Sequence, residues 1–332
     1  MTHTESGRRI VIAFASVYLI WGSTYLAIRF AIETIPPLLM AGIRFLIAGT
    51  VLYVIVRCFK GVAKPERYHW RGAVLVGGLM LLGGNGGVVW AEQRVPSGIA
   101  ALLIATVPLW MALLDWLRPH GVSTTWRGIA GLVLGFAGAI VLVGPGELMG
   151  GERVDPIGAA VLLFASLSWA IGSMLSRSAR LPASPLLATA MEMLGGGALL
   201  ACVGLLMGEW ARLDPSAMST RSLLSVGYLI VFGSLVGFTA YIWLLRKTTL
   251  SRASTYAFVN PVVAVILGWA VAGEAFTLRT LLATAVIVPG VWLIISARRS
   301  GAPQQGPERA PGEGAGLPAG EREFFIPSRQ AR

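Results

Sequence analysis

Long apolar stretches recur along the chain between Ile10 and Ala297, separated by short polar connections. A transmembrane α-helix needs about 20 largely apolar residues, and these stretches have that length. The connections carry the prolines and glycines that are typical of turns. The pattern predicts an all-α membrane protein with ten transmembrane helices. The predicted spans cover residues 10–28, 37–57, 71–91, 97–117, 127–144, 156–176, 185–207, 222–244, 252–272 and 279–297.

The composition supports a lipid environment. The chain has 332 residues, of which 13% are charged and 55% are hydrophobic. A soluble protein carries about 25% charged residues, so this chain has too little polar surface to cover a water-facing globule. The first stretch follows Arg8 and Arg9, but it is longer than the apolar core of a signal peptide and has no cleavage site after it. We therefore expect it to remain as the first transmembrane helix.

The basic residues predict the orientation of the chain, whose formal net charge is +11. Most Lys and Arg near the span ends lie on the side of the N-terminus, as in the cluster from Arg57 to Arg71. Cytoplasmic loops are enriched in these residues, so both termini are predicted to face the cytoplasm from an inner (plasma) membrane. Residues 1–9 would be a cytoplasmic N-terminus, and residues 299–332 a disordered cytoplasmic tail. No basic patch with interleaved aromatic residues indicates nucleic-acid binding.

The sequence predicts neither a metal nor a cofactor. Cys58 and Cys202 lie far apart in apolar stretches, and His3, His69 and His120 lie in loops or in the leading tail. These positions do not form a metal-ligand pattern. The chain also lacks the G-x-x-x-x-G-K-[ST] motif of a nucleotide-binding loop. Energy for transport would therefore come from an ion or solute gradient.

The two halves of the chain resemble each other. Four matches occur in order at offsets of 148 to 153 residues: Gly22-Ser23 with Gly172-Ser173, Pro37 with Pro185, Trp90 with Trp243, and Pro108 with Pro261. Five spans per half is an odd number, so the second half would be inserted upside down. Inverted repeats are typical of secondary transporters, and chance matching among Gly, Pro and Trp is the alternative. We predict five-helix repeats at residues 10–145 and 156–298.

Arg44 and Glu192 are the two charged residues that the pattern places well inside the membrane. Each lies seven residues after Pro37 or Pro185, within about 5 Å of the midplane of a hydrocarbon core about 30 Å thick. A charge at that depth is costly and usually faces a partner or a cavity. The two residues could pair directly, or Arg44 could bind an anionic solute group while Glu192 takes up a coupling proton. A structural ion pair or snorkelling is the alternative.

Two prolines and two asparagines mark a similar depth. Pro108 and Pro261 are predicted near the middle of their helices, where proline removes a backbone hydrogen bond and kinks the helix. Paired interruptions of this kind point to a midplane site. Asn260, just before Pro261, and Asn85, within Gly83-Gly84-Asn85-Gly86-Gly87, are candidate solute contacts. The alternatives are packing kinks at the prolines and a small-residue helix contact at Asn85.

Aromatic residues are predicted at the depth of these polar positions, and some of them belong to the interface belts. The candidates for the wall of an amphipathic solute site are Trp21, Tyr25, Trp169 and Tyr256. Glu92 and Glu274 end the third and ninth spans on the predicted outer side. We interpret these two glutamates as marking the water boundary rather than as ligands.

The order and spacing of several motifs resemble the EamA family of the drug/metabolite transporter superfamily, in particular its YedA-like bacterial inner-membrane members. The motifs are Trp21-Gly22-Ser23-Thr24-Tyr25, Pro36-Pro37 followed by Arg44-Phe45, Pro96-Ser97-Gly98, Ala105-Thr106-Val107-Pro108, and Tyr256 through Asn260-Pro261-Val262 with Gly273-Glu274. The resemblance covers about residues 10–298. It implies ten helices in two inverted five-helix repeats, a central cavity, and efflux of metabolites such as amino acids or of xenobiotics.

Three classes of function are compared with this pattern. It favours a secondary transporter that exports a small solute by alternating access, with the solute, membrane lipids and a coupling proton as partners. A passive facilitator or channel is the alternative. A membrane-embedded enzyme would need a nucleophile with a base, paired carboxylates or metal ligands, whereas Glu192 is the one carboxylate predicted well inside the membrane. We therefore expect no enzyme activity. The sequence sets neither the solute nor the oligomeric state.

Overall fold

The computed structural model describes residues 3–117, 126–143 and 154–300, and these ranges are helical apart from turns, with no strand. The long helices, numbered in chain order, are α1 (His3–Ala31), α2 (Pro37–Phe59), α3 (Arg67–Ala91), α4 (Ser97–Trp116), α5 (Trp126–Val143), α6 (Pro156–Ser176), α7 (Pro185–Leu206), α8 (Thr220–Lys247), α9 (Tyr256–Ala272) and α10 (Leu278–Ser300). Short 3₁₀ turns cover Glu209–Arg212 and Pro215–Ala217, and Leu250–Ala253 forms one further helical turn.

Helix length and composition show an all-α, multi-pass membrane protein. Within the described ranges, seven helices are long and apolar enough to cross a membrane, namely α1 to α4 and α6 to α8. Shorter apolar helices lie in α5, α9 and α10. The total of ten spans therefore remains a prediction. The first helix begins at His3 rather than at residue 10, and the predicted tail lies outside the described residues beyond Ser300.

The helices begin where the sequence supplies a cap. Pro156 and Pro185 occupy the first helical position of α6 and α7, where the missing N–H costs no hydrogen bond. The side chains before them, Asp155 and Ser184, accept bonds from backbone amides of the first turn. The hydrogen bond from the Gly158 N–H, at 2.7 Å, is the main reason that the pKa of Asp155 lies below its ordinary value.

One end of the bundle gathers the turns that the charge pattern predicts to face outward, and we call it the outer end. The Ser219 amide donates to Thr34 Oγ1 at 3.1 Å, and Ser222 Oγ donates to the Phe30 carbonyl at 2.8 Å. Arg94 pairs with Asp155 at 3.3 Å. The end of α1 therefore lies beside the start of α8, and the end of α3 beside the start of α6, as in an up-and-down bundle.

Two carboxylates, Glu209 fully buried and Glu274 half-buried, join the two halves of the chain at the outer end. Gly208 and Gly273 end α7 and α9 in the left-handed backbone conformation that favours glycine, and a glutamate follows each. Glu209 accepts from the amides of Leu38 (3.3 Å) and Leu39 (2.8 Å) at the start of α2. Glu274 accepts from the Ser97 and Gly98 amides (2.8 and 3.0 Å) and from Ser97 Oγ (2.7 Å) at the start of α4. Each carboxylate thus supplies acceptors that the first amides of a helix lack.

Helices α3 and α8 contain wide π-helical segments at Gly78–Gly86 and Leu229–Phe238. π-Helices are rare and occur mostly as single turns, frequently at functional sites. These two segments begin 151 residues apart and end 152 residues apart, within the range of the sequence matches between the halves. Both border the central cavity described below.

Glycines set the closest helix contacts between the halves. A Cβ at Gly42 of α2 would lie 2.7 Å from the backbone nitrogen of Ala201 in α7, and one at Gly290 of α10 would lie 2.7 Å from that of Gly135 in α5. Such contacts require backbones to approach without side chains between them, as small residues allow in membranes.

Replacing Glu209 with Ala should lower the free energy of unfolding by about 1–3 kcal/mol, because the Leu38 and Leu39 amides lose a buried acceptor. Thermal unfolding of the purified full chain in detergent measures the change. Asp214→Ala is the matched control, since that carboxylate is exposed and bonds to Ser216 in its own turn, and we expect less than about 0.5 kcal/mol there. Equal unfolding temperatures for Glu209→Ala and the wild type would contradict a stabilising role for the cap.

Candidate functional site

A cavity of about 60 Å³ lies in the middle of the bundle. Its wall is mainly apolar and aromatic with a few polar groups, as in small-molecule sites. The lining residues come from both halves of the chain: Trp21, Thr24, Tyr25, Ile28, Arg44, Phe45, Leu81, Gly84, Asn85, Val88, Ile104, Ala165, Trp169, Gly233, Phe238 and Tyr256. Ligand pockets usually measure about 300–1,000 Å³, so this cavity is contracted and must widen to hold a solute.

Arg44 supplies the positive charge of the cavity. It is 3% exposed, its Nε donates to Ser234 Oγ at 2.8 Å, and its guanidinium lies 4.5 Å from the centre of the Phe45 ring. The terminal nitrogen Nη1 is buried and makes no hydrogen bond within the described part of the chain. Direct pairing with Glu192, one of the alternatives considered above, is not found among the described residues, where Ser234 of α8 is the hydrogen-bond partner of Arg44. A buried guanidinium with an unused donor is suited to binding an anionic group.

Asn85 lies in the π-helical segment of α3 and also lines the cavity. Its side-chain oxygen is buried and has no hydrogen-bond donor. The neighbouring Gly84 lies against the Trp169 ring, so that a Cβ there would approach Cε3 to 2.8 Å. The glycine-rich sequence therefore brings the α3 backbone close to an aromatic side chain of α6.

Four aromatic rings meet beside the cavity: Trp21, Trp169, Tyr241 and Tyr256. The Trp21 ring centre lies 5.5 Å from that of Trp169, 4.9 Å from that of Tyr241 and 5.3 Å from that of Tyr256. The Tyr241–Tyr256 and Trp21–Tyr256 pairs meet edge to face, a favoured arrangement for aromatic pairs. The predicted wall residues are thus brought together, and Tyr25 joins them in the cavity lining.

Glu192 is buried but does not line the central cavity. It lies on α7 against α3, where a Cβ at Gly77 would come within 2.3 Å of the Glu192 backbone carbonyl oxygen. Ser176 Oγ lies 3.5 Å from Glu192 Oε1, and Oε2 has no partner. Arg246 is a charged neighbour, although its guanidinium donates to the carbonyls of Pro182 and Ala183. The structure therefore separates Glu192 from Arg44.

The two prolines interrupt their helices in different ways. Pro261 lies inside α9, as predicted. Pro108 does not lie in a continuous helix, because α4 breaks at Ala105-Thr106 and restarts at Val107, which places Pro108 in a first turn. Because Pro108 lies in the first turn after the break, its missing N–H costs no helical hydrogen bond. At the break itself, Thr106 Oγ1 donates to the Leu103 carbonyl at 2.6 Å.

Asn260 is packed between helices rather than placed in the cavity. It is buried, and with its amide nitrogen turned toward α1 it donates to the Tyr18 carbonyl at 3.0 Å and to the Tyr256 carbonyl at 3.3 Å. The predicted solute contact at Asn260 is therefore replaced by a contact between α1 and α9. Thr24 lies in the Trp21–Tyr25 motif noted in the sequence, whereas Gly233 and Phe238 were not predicted as site residues. Both belong to the second π-helical segment, which only the structure reveals.

The described residues contain no group of three or more His, Cys, Asp or Glu side chains that could hold a metal ion. Cys58 and Cys202 are free and exposed. The polar groups around the cavity are a guanidinium, an amide and hydroxyls. This arrangement can bind a solute through charge, hydrogen bonds and aromatic contacts.

Comparison with protein families gives two matches along this chain. The model of the EamA-like transporter family matches residues 8–144 and again residues 156–296. The matched ranges include every residue of the cavity lining and both glutamates that cap helices at the outer end.

Individual proteins show the same relationship. The chain is 42% identical over 283 residues to the uncharacterized inner membrane transporter YedA of Escherichia coli K12, covering 85% of this chain and 89% of that protein. It is 25% identical over 290 residues to the uncharacterized transporter YoaV of Bacillus subtilis, with coverage of 86% and 96%. A crystal structure with 22% sequence identity has the same fold, with a TM-score of 0.61 and coverage of 88% of this chain and 99% of the other.

Arg44→Met should leave the unfolding temperature unchanged or raise it, although the arginine is buried. An apolar side chain of similar length removes the cost of burying a charge that has only one hydroxyl partner. Thermal unfolding in detergent measures this, with Phe45→Ala as the comparison, because loss of a buried aromatic ring costs about 3–5 kcal/mol. A loss of similar size in Arg44→Met would show that the arginine is retained for stability.

Proposed function

Because this chain belongs to the EamA-like transporter family, we propose that it is a secondary transporter of the inner membrane that exports small amino-acid-like metabolites or drugs by alternating access. Family membership and the long apolar helices indicate that the chain is a multi-pass membrane transporter. The observation that carries the finer proposal is the contracted central cavity with the unpaired Nη1 of Arg44 in its wall.

The cavity chemistry supports a solute with an anionic group and an apolar part. Arg44 would bind the anionic group, and the Asn85 side-chain oxygen would accept a hydrogen bond from a solute N–H or O–H. Trp21, Trp169 and Tyr256 would contact the apolar part. Since both halves of the chain contribute to this wall, movement of one half against the other would change the size of the site.

The proposed topology has ten spans, with both termini in the cytoplasm, in two inverted five-helix repeats. The double match of one family model supports two related halves. The paired π-helical segments of α3 and α8 support their correspondence. The turns gathered at the outer end support the alternation of helix direction.

The experiment for the proposed function is a metabolite survey. Intracellular and extracellular pools are compared in cells with and without the transporter, and the solutes that differ are tested in proteoliposomes containing the full chain. Saturable flux and exchange would support alternating access. Conductance without saturation would indicate a channel, and turnover of a substrate without flux would indicate an enzyme.

Gly84→Ala should weaken solute binding, because the added methyl group meets the Trp169 ring at 2.8 Å. Overpacking of this kind costs about 1–3 kcal/mol. Because the Trp169 ring would relieve it by moving into the cavity, which bound solute prevents, the affinity should fall by up to about 150-fold. The half-saturating solute concentration in proteoliposomes measures it. Gly227→Ala on α8 is the matched control, since a Cβ there meets nothing within 4 Å. Equal affinities for the two variants would contradict the role of the Gly84–Trp169 contact.

We also propose that a proton is the coupling ion and that Glu192 takes it up. Glu192→Gln should then abolish pH-driven uptake in vesicles, because an amide of nearly the same shape cannot titrate. Glu66→Gln, at an exposed carboxylate that caps its own helix, should leave pH-driven uptake intact. Unchanged pH dependence in Glu192→Gln would exclude this role.

A further inference from the structure

Glu92 is the residue that directly follows the α3 span, and it is fully buried. Its position fits the interpretation that it marks the end of the span, but its side chain is enclosed by the protein rather than exposed to solvent. Its amide donates to the Val88 carbonyl at 2.9 Å, as in the last turn of a helix. Both side-chain oxygens are buried and have no hydrogen-bond partner among the residues that the structure describes. Among the carboxylates described at the outer end, this contrasts with Glu209 and Glu274, whose oxygens accept from amides of another helix.

The titratable and charged groups described around Glu92 come from two elements. On α1, Arg29 and Tyr25 face it, and beyond α9 Glu274 faces it. Arg29 Nη1 donates to the backbone carbonyl of Glu92 at 2.7 Å rather than to the carboxylate. Glu274 is held as an acceptor by the Ser97 and Gly98 amides. A negative charge on Glu92 would therefore lie near a second carboxylate without a hydrogen bond of its own.

Glu92 lies in the partition between two cavities. Tyr25 lies about one helical turn before Arg29, and Val88 lies about one helical turn before Glu92. Both Tyr25 and Val88 line the central cavity. Arg29 and Glu274 line a second cavity at the outer end, together with Arg94 and Thr277. A proton leaving Glu92 would thus have a cavity on either side of it, the outer one lined by charged residues and the central one by aromatic residues with a few polar groups.

Burial without a partner disfavours the charged form of a carboxyl group. Burial is the main reason that the pKa of Glu92 is raised well above its ordinary value, and repulsion from Glu274 adds to this increase. Attraction to Arg29 opposes it. Burial without a partner therefore favours the neutral, protonated form of this carboxyl group.

We propose that Glu92 is a proton-binding site of the transport cycle, which keeps its proton while the outer end is closed and releases it when the outer end opens. Opening would bring water and the Arg29 guanidinium to the carboxylate and would separate it from Glu274. The inference rests on the proposed function, and it adds a second titrating carboxylate, about four helical turns along α3 from Gly77, against which Glu192 packs.

Infrared titration of the full chain in liposomes tests whether Glu92 holds a proton, without any solute. The wild type should show a protonated-carboxyl C=O band that persists at neutral pH. Glu92→Gln should lack a component of this band that Glu192→Gln retains. An unchanged band in Glu92→Gln would mean that Glu92 is ionised in the closed state, for example paired with Arg29, and would overturn the proposal.

Transport in proteoliposomes tests whether that proton is coupled to solute movement. With a radiolabelled mixture of proteinogenic L-amino acids as the probe, a pH gradient of one unit can drive about tenfold accumulation per coupled proton. Glu92→Gln should reduce this accumulation to the level without a gradient, while exchange of labelled for unlabelled solute remains detectable. Glu92→Asp should restore part of the accumulation because it titrates.

Glu33→Gln is the matched control, at an exposed outer-end carboxylate paired with Arg221, and it should accumulate solute like the wild type. Accumulation by Glu92→Gln at the wild-type level would overturn the proposal and leave Glu92 as a structural group. Absence of exchange by the wild type would instead contradict the proposed function for these solutes and, with it, the place of Glu92 in a transport cycle. Comparing exchange with gradient-driven accumulation therefore separates the two failures.

Discussion

Hydrocarbon offers no hydrogen-bond partners, so a chain that crosses it must satisfy its backbone N–H and C=O groups within its own segments. This constraint explains why the described residues are helical from α1 to α10, and it makes each interruption of a helix informative. Ordinary helical geometry is abandoned at the π-helical segments of α3 and α8, at a shorter one that ends α2 (Ile55–Phe59), and at the break before Pro108. The π-helical segments of α3 and α8 and Ile104, the last residue before that break, border the central cavity. Apart from the last turns of α2, these irregular segments therefore lie where they line a space that a polar solute or water can enter.

The same constraint applies to side chains, and it separates three buried charged residues by what they touch. Arg44 reaches the cavity with one nitrogen unused, which suits a site whose missing partner arrives with the solute. Glu192 and Glu92 are buried away from Arg44, and neither carboxylate is satisfied by the hydrogen bonds described around it. A carboxyl group without partners is stable in a dry interior only when it carries a proton. The surroundings of Arg44 thus fit solute binding, and those of Glu192 and Glu92 fit proton binding. All three residues are buried and ionisable, so those two properties alone would not distinguish them.

Much of this fold could be predicted from the sequence because apolar length and proline placement are local properties. The start of α2 at Pro37 and of α7 at Pro185 agree with the prediction, since proline at the first helical position needs no neighbour from elsewhere in the chain. The aromatic residues of the site were also found, because Trp21 and Trp169 lie at a depth that follows from helical rise alone. Partners across the bundle could not be found in this way. Ser234 as the partner of Arg44, and the burial of Glu92, depend on which helix faces lie together, and a single sequence does not contain that information.

The hydrogen bonds of Glu209 and Glu274 affect the free energy needed to separate the two halves at the outer end, compared with the opposite end of the bundle. Glu209 and Glu274 each join a helix end of one half to the first amides of a helix in the other half, and those amides are buried. Opening the outer end would leave these amides without hydrogen-bond acceptors unless water took the place of the carboxylates. At the opposite end, the described cap of α7 is the hydroxyl of its own Ser184, which can move with the helix that it caps. Separation of the halves at the outer end therefore requires hydrogen bonds between protein groups to be replaced by hydrogen bonds to water. Glu92 lies beside Glu274, so the charge on Glu92 would change the free energy of this replacement.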